Sequence, residues 1–300
     1  MRILVCVKQV LDPDGPIRVD AAGQGIEAMP GALFRMNRFD EFALEEALRI
    51  REKFPGTHID ALSAGPERAA QTVRRALETG ADEGIHLVLG DECCRTPFEI
   101  ASLIGAYASH KHYDLILTGV MAEDDMQAQV GPMLAEILGY PWATAVMSLK
   151  LAVSQESSFC HAAPSSAPSG DESALTAARP PENNGVRAHF SGTIHVEREL
   201  EGGRREAFEL TLPALLTLQS GINRPRYPAL SHVLRARSQA LITIPVSQGR
   251  ETAPVSYPAP RERIVTLEEP EPMKTGMILS GSPEEKAEKL LLILKERALL

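Results

Sequence analysis

Three hundred residues exceed one average domain and suit one large α/β domain with extensions. Hydrophobic residues at 44% and charged ones at 24% match a globular chain and exclude a fully disordered one or a coiled coil. Thirty-one Lys and Arg against 40 Asp and Glu leave a net charge of −9, which argues against nucleic-acid or anionic-membrane binding over the whole surface; no apolar run reaches the ~18 residues of a membrane span.

The chain enters an apolar run at once, Ile3-Leu4-Val5-Cys6-Val7, followed by Lys8 and Gln9. That run is too short for a signal-peptide core and lacks a small-residue cleavage site, so it reads as a first strand of a cytoplasmic protein. Over the first 150 residues, strands are expected at Arg2–Val7, His58–Ser63, Ile85–Leu89 and Asp114–Thr118. Each is too continuously apolar for a sheet with one wet face, which points to a buried parallel sheet. Helices are expected between them at Asp40–Lys53, Pro66–Thr79, Pro97–His110 and Gln127–Leu138. The first puts Ala43, Leu44, Ala47 and Leu48 on one stripe, with Asn37 as N-cap and Asp40 as first-turn acid. Gly80 and Gly139 stand where helix C-terminal glycines belong. Repeated βαβ units of this kind give a doubly wound, mostly parallel sheet of the nucleotide-binding type.

Residues 154–192, rich in Ser, Ala, Pro, Gly and Asn, read as a flexible insertion in the 1–153 α/β core. A β-hairpin follows, Thr193–Leu200 joined to Ala207–Leu218 through Glu201-Gly202-Gly203, so that 193–240 completes the core. Beyond Leu218 the Pro-punctuated chain reads as an extended arm ending in a helix, Pro283–Ala298, capped by Ser282. An arm of that length covers either its own sheet or a partner subunit.

The segment Gly119-Val120-Met121-Ala122-Glu123-Asp124-Asp125-Met126-Gln127-Ala128-Gln129-Val130 carries the clearest chemistry. It leaves a strand end and enters a helix, at the carboxyl edge where doubly wound folds bind ligands. Free N–H groups at the helix start can hold a phosphate, with Gln127 and Gln129 adding side-chain bonds. The bland alternative is that Asp124 and Asp125 only complement the helix dipole, and as acids they repel phosphate unless a cation or the backbone outweighs them. Lys8-Gln9-Val10 and Ser63-Ala64-Gly65-Pro66 are two further loops at the same edge, although Gly65-Pro66 alone suits a tight turn. No GxGxxG follows the first strand and no GxxxxGK[ST] occurs, which demotes dehydrogenase and ATPase readings.

Cys6, Cys93, Cys94 and Cys160 form no metal-ligand spacing, and Asp91 and Glu92 would raise the thiol pKa of the Cys93-Cys94 pair. His110 and His112 sit at a helix end with no third ligand in register. No nucleophilic triad can be assembled, so no catalytic residue is expected.

Taken together, Val5–Val10, Met36–Ala47, Ala76–Asp82, the Gly119–Pro132 loop and Asn223-Arg224-Pro225-Arg226-Tyr227-Pro228 resemble the β subunits of electron transfer flavoproteins. The resemblance runs from the first strand to the Arg263–Glu296 tail, interrupted by 154–192. It implies an adenine-nucleotide α-hydrolase-like fold and a heterodimer whose α subunit carries most of the site for a redox-active FAD. In the common branch the β subunit buries one structural AMP. By position the AMP site falls on Cys6, Asn37, Arg38, Phe39, Asp40, Ala64 and Gly119–Val130. The family's docking segment for flavoprotein dehydrogenases falls on Tyr227-Pro228-Ala229-Leu230-Ser231, with Leu230 as anchor; Arg235 and Arg237 stand where the family shows a lysine cluster. The resemblance further implies an arm, 241–300, wrapping the α subunit, and electron delivery to a membrane quinone oxidoreductase. A second branch holds FAD in place of AMP and bifurcates electrons; Asp125 narrows the space a flavin needs and favours AMP, whereas Met126 and Gln127 fit neither branch well. Two rivals remain: a flavin-free adenine-nucleotide-binding regulatory module, and an enzyme that hydrolyses the α-phosphate bond of ATP.

Overall fold

The structure is a computed structural model, and it describes residues 1–12, 14–15, 17–21, 23, 25–90, 95–153, 192–248, 255–257, 261–269 and 276–299. The 154–192 insertion expected from composition lies outside the described residues except for Gly192, as do Cys93, Cys94 and Cys160.

The elements run in chain order β1 Arg2–Cys6, β2 Gln9–Leu11, β3 Ile17–Val19, β4 Ile26–Ala28, β5 Phe34–Met36, α1 Arg38–Lys53, β6 His58–Gly65, α2 Ala70–Thr79, β7 Glu83–Val88, α3 Pro97–Ala108, β8 Leu115–Gly119 and α4 Val130–Leu138. They continue with β9 Trp142–Val153, β10 Gly192–Glu199, β11 Arg205–Thr211, β12 Ala214–Leu218, α5 Leu230–Ser238, β13 Ile242–Gln248, β14 Val255–Tyr257 and α6 Pro283–Glu296. One ten-stranded sheet dominates, in the order β11-β10-β9-β12-β8-β1-β6-β7-β13-β14. It is parallel from β9 to β14, while β10 and β11 pair antiparallel at one end.

Period-two alternation along the strands divides the core into two layers. Ile3, Val5 and Val7 of the β1 segment join Leu44, Leu48 and Leu117 on one face, under α1. Leu4 and Cys6 join Leu103, Tyr107 and Leu134 on the other, under α3 and α4. Because both faces are covered, the central strands can be apolar throughout, as their composition required.

Three expectations need correction. Helix α4 begins at Val130, not Gln127, because Met126 (φ 52°) and Ala128 (φ 55°) hold left-handed backbone that no right-handed helix accommodates. The second hairpin strand ends at Thr211: Pro213 cannot donate to a ladder, and Ala214–Leu218 instead inserts as β12 between β8 and β9. The stretch after Leu218 is not one extended arm, since Leu230–Ser238 is helical and Ile242–Gln248 pairs parallel with β7 in the chain's own sheet. Ile242 and Thr243 are exposed there and Ile244 is half-buried, in keeping with a strand next to the sheet edge.

Helix α5 lies against α2 through a reciprocal pair of arginines. Arg74 of α2 donates to the carbonyls of Ala236 and Gln239 at the end of α5, and Arg235 of α5 donates to those of Leu77 and Ala81 at the end of α2. Each guanidinium adds a donor to carbonyls at the C-terminal end of the other helix, where the dipole favours a cation. Helix α6 has the expected Ser282 N-cap, which Glu285 completes as a capping box, but buries no residue, and its Leu290, Leu291 and Leu292 are exposed.

Candidate nucleotide site at the carboxyl edge

Strand β1 lies between β8 and β6, so the chain leaves it towards one side and later returns on the other. The crevice beyond the carboxyl ends of β1 and β8 is therefore a topological switch point, where open α/β sheets bind ligands. Asp40, in the first turn of α1, closes that point. Its Oδ2 accepts the Lys8 N–H at 2.7 Å and its Oδ1 accepts the Gly119 N–H at 2.9 Å, so one buried carboxylate holds the loops after both strands. Burial pushes its pKa up to about 7 even though these donors, and the Asn37 side chain, pull it down. Gly119 cannot be another residue: a Cβ there would lie 2.5 Å from Asp40 Oδ1 and 2.6 Å from Phe39 Cβ.

Asn37 occupies the N-cap position of α1, but its side chain makes no cap bond. It reaches across instead, donating to the Met121 carbonyl at 2.9 Å and accepting the Glu123 N–H at 3.2 Å. Glu123 is also held by the Arg38 N–H and by the Arg35 guanidinium at 3.0 Å. The Lys8 ammonium lies 2.7 Å from Asp124 Oδ1 and 2.9 Å from Asp125 Oδ2. Burial works to lower the Lys8 pKa, but the two carboxylates outweigh it and the group stays above the ordinary lysine value. The acidic run that would repel a phosphate is thus compensated locally by Lys8, Arg35 and the backbone. Asp125 also accepts the Gln127 N–H, forming a turn ahead of the exposed segment Met126-Gln127-Ala128-Gln129.

Val130 opens α4, whose first N–H groups have no intrahelical acceptor, and Pro132 costs nothing there for the same reason. Gly131 lets this helix approach β12, since a Cβ would meet Thr217 Cγ2 at 2.4 Å. Ala64 lies half-buried near the end of β6, and Cys6 ends β1 with its thiol pKa raised by burial and by Asp40. The structure therefore joins Asn37, Arg38, Asp40, Gly119, Met121 and Glu123 by direct hydrogen bonds, with Phe39 packed at Gly119. Cys6 and Ala64 share the edge without such bonds to that loop.

Sequence reasoning missed three supporting groups. Lys8 was read as part of a loop, not as the cation for Asp124 and Asp125. Arg35 sits on a short strand that periodicity does not reveal. His86, 2% exposed on β7, contacts the Gly65 and Pro66 carbonyls at 3.2 Å through Nε2 and fixes the loop after β6. Burial lowers its pKa, which favours the neutral ring.

Comparison with known proteins matches the electron transfer flavoprotein domain family model to residues 31–187, more than half the chain. The chain is 31% identical to the mitochondrial electron transfer flavoprotein subunit beta of Oryza sativa subsp. japonica, over 95% of each chain. It is 30% identical to the subunit beta of Dictyostelium discoideum, over 100% of this chain and 99% of that one, and 31% identical to that of Homo sapiens over 97% and 96%. The chain belongs to the electron transfer flavoprotein β-subunit family. The mixed α/β architecture agrees with that assignment, and no helix among the described residues is long and apolar enough to cross a membrane.

In this β subunit the segment between β12 and α5 is fixed from both ends. Arg226 forms a two-point bond with Glu45, to Oε1 and Oε2 at 2.8 Å each, and also reaches Glu52. Between that anchor and the reciprocal arginines, Tyr227 is 92% exposed and Leu230 74% exposed. Arg235 is occupied with the α2 carbonyls, while Arg237 lies exposed on the same helix.

Proposed function

We propose that this chain is the β subunit of a heterodimeric electron transfer flavoprotein, holding one AMP at the carboxyl edge and supporting an FAD carried mainly by an α subunit. In this reading the heterodimer takes electrons from flavoprotein dehydrogenases, acyl-CoA dehydrogenases among them, and passes them to a membrane quinone oxidoreductase. The observation that supports the nucleotide assignment is the Asp40 clamp: one buried carboxylate holds both switch-point loops.

The residues fit an adenine nucleotide. The start of α4 offers backbone N–H groups to a phosphate, and Lys8 and Arg35 offset the acids beside it. Asn37 sets the Met121–Glu123 backbone. The flavin supplies the redox chemistry when bound. What this chain contributes is positioning: the sheet carries the switch-point loops, the Arg226-anchored segment presents Tyr227 and Leu230 to a dehydrogenase, and α6 offers its uncovered leucine run to the α subunit. This division of labour needs no catalytic side chain.

The test is nucleotide content. The chain is co-purified with its α partner, bound ligands are released by heat, and they are separated by chromatography alongside flavin absorbance. One FAD and one AMP per heterodimer are expected. Two FAD would replace the reading by a bifurcating flavoprotein, and no flavin and no partner would return the chain to a regulatory nucleotide-binding module.

A further inference from the structure

The amino edge of the sheet, opposite the nucleotide site, gathers a second set of polar groups. His58 and Asp60 lie on one face of β6, and Glu83 stands directly across from Asp60 on β7. His58 Nε2 is 3.0 Å from Asp60 Oδ1 and 4.0 Å from Glu83 Oε2, and the three potential ligand atoms lie within 4.8 Å of one another. The Asp60 side chain is fully buried, and its two oxygens differ. Oδ2 accepts from Arg2 Nε at 3.0 Å, Arg2 Nη2 at 2.7 Å and the Tyr113 hydroxyl at 2.6 Å. Oδ1 is buried without a hydrogen-bond partner and faces the His58 ring. Burying a carboxylate oxygen costs desolvation, and the His58 ring at 3.0 Å is the group placed to offset it.

We propose that His58 Nε2, Asp60 Oδ1 and Glu83 Oε2 form a zinc-binding site that ties the starts of β6 and β7 together. Around a tetrahedral Zn²⁺ with ligands near 2.0–2.2 Å, donor atoms sit roughly 3.3–3.6 Å apart. The observed separations of 3.0 and 4.0 Å bracket that spacing. One imidazole with two carboxylates suits zinc better than calcium or magnesium, which take all-oxygen shells. Outer groups stand where metal sites use them: Arg2 and Tyr113 fix the Asp60 carboxylate through its other oxygen, and Asp82 lies 3.9 Å from His58 Nδ1, on the side away from the proposed ion. Three carboxylates, Asp60, Asp82 and Glu83, face two guanidiniums, Arg2 and Arg51, so an added cation reduces the local imbalance. Arg2 Nη2 lies 3.6 Å from Glu83, and zinc competes with it for that carboxylate. His58 and Glu83 are each close to half-exposed, which leaves the ion a route in from solvent.

The experiment titrates ZnCl₂ into the full chain, freed of metal by chelation, in a calorimeter, beside His58→Ala and Glu83→Gln. The parent is expected to bind one equivalent, and each variant to bind at least about tenfold more weakly. Co²⁺ added in place of zinc should give the visible absorption of a tetrahedral site in the parent alone. Absence of binding by the parent, or binding unchanged in both variants, overturns the proposal and leaves His58 as an ion-pair partner of Asp60. Both substitutions are at partly exposed positions; if one fails to fold, the other decides.

Discussion

Two buried aspartates stand at opposite ends of this sheet and are used in opposite ways. Asp40, at the carboxyl edge, accepts backbone N–H groups of Lys8 and Gly119, so its partners cannot turn away without moving the loops that carry them. Asp60, at the amino edge, is held by the side chains of Arg2 and Tyr113. The first arrangement fixes backbone at the proposed nucleotide site, and the second fixes a side chain at the opposite edge of the sheet. A carboxylate bonded to amides positions loops, whereas one bonded to a guanidinium and a phenol stabilises packing.

That contrast can be broken by mutation. Asp60→Ala strands the Arg2 guanidinium and the Tyr113 hydroxyl, and is expected to cost about 3–5 kcal/mol in urea unfolding while nucleotide content per folded molecule stays unchanged. A loss below about 1 kcal/mol would mean Asp60 is not the amino-edge anchor. Gly119→Ala drives a Cβ into Asp40 and Phe39, and should cost about 1–3 kcal/mol together with bound nucleotide.

Asp40→Asn puts an amide NH₂ where the Asp40 acid, protonated at pH 5, already presents an O–H to one of the two N–H donors, so at pH 5 it should cost at most about 1 kcal/mol. Its pH dependence has a definite sign. The folded pKa of about 7 lies above the ordinary value of 3.8, so the stability Asp40 contributes is complete at low pH and lost as pH rises through 7. The stability of the parent relative to the variant should therefore fall from pH 5 to pH 7, by at most about 1.4 kcal/mol per pH unit, and level off above. A difference that stays flat from pH 5 to pH 8 would put the Asp40 pKa at or below its ordinary value. Lys8→Met, the mildest change, should alter stability by less than about 1 kcal/mol, because its pairs are partly exposed. It should still weaken nucleotide retention, since Asp124 and Asp125 would face a phosphate uncompensated; retention equal to the parent would remove Lys8 from the site.

How much of this was readable beforehand follows from the range of the interactions. The parallel core was legible because burial on both faces imposes continuous apolar runs such as Ile3–Val7 and Leu115–Leu117, and αβ punctuation by Gly80 and Gly139 is local. The loop after β8 is legible as a strand-to-helix junction, and Asn37 and Asp40 stand out locally as a cap and a first-turn acid and, through the family resemblance, as AMP-site residues. Their actual partners lie some eighty residues away, at Met121 and Gly119, and no local pattern encodes such a reach. The start of α4 was misplaced because nothing in the residue types of Met126 and Ala128 announces positive φ. Strand β13 was missed because its pairing with β7 is a long-range event.

The β9–β10 ladder closes on Val153 opposite Gly192, so the chain departs and returns on the same rung. The connection between these two residues therefore starts and ends on one rung, and each doubling of the length of a flexible connection costs only about 0.6 kcal/mol. That makes the rung a natural port for protein engineering: a short turn, a fluorescent reporter or an affinity handle placed between Val153 and Gly192 is expected to leave the strand register intact, with the parent's urea midpoint as the check.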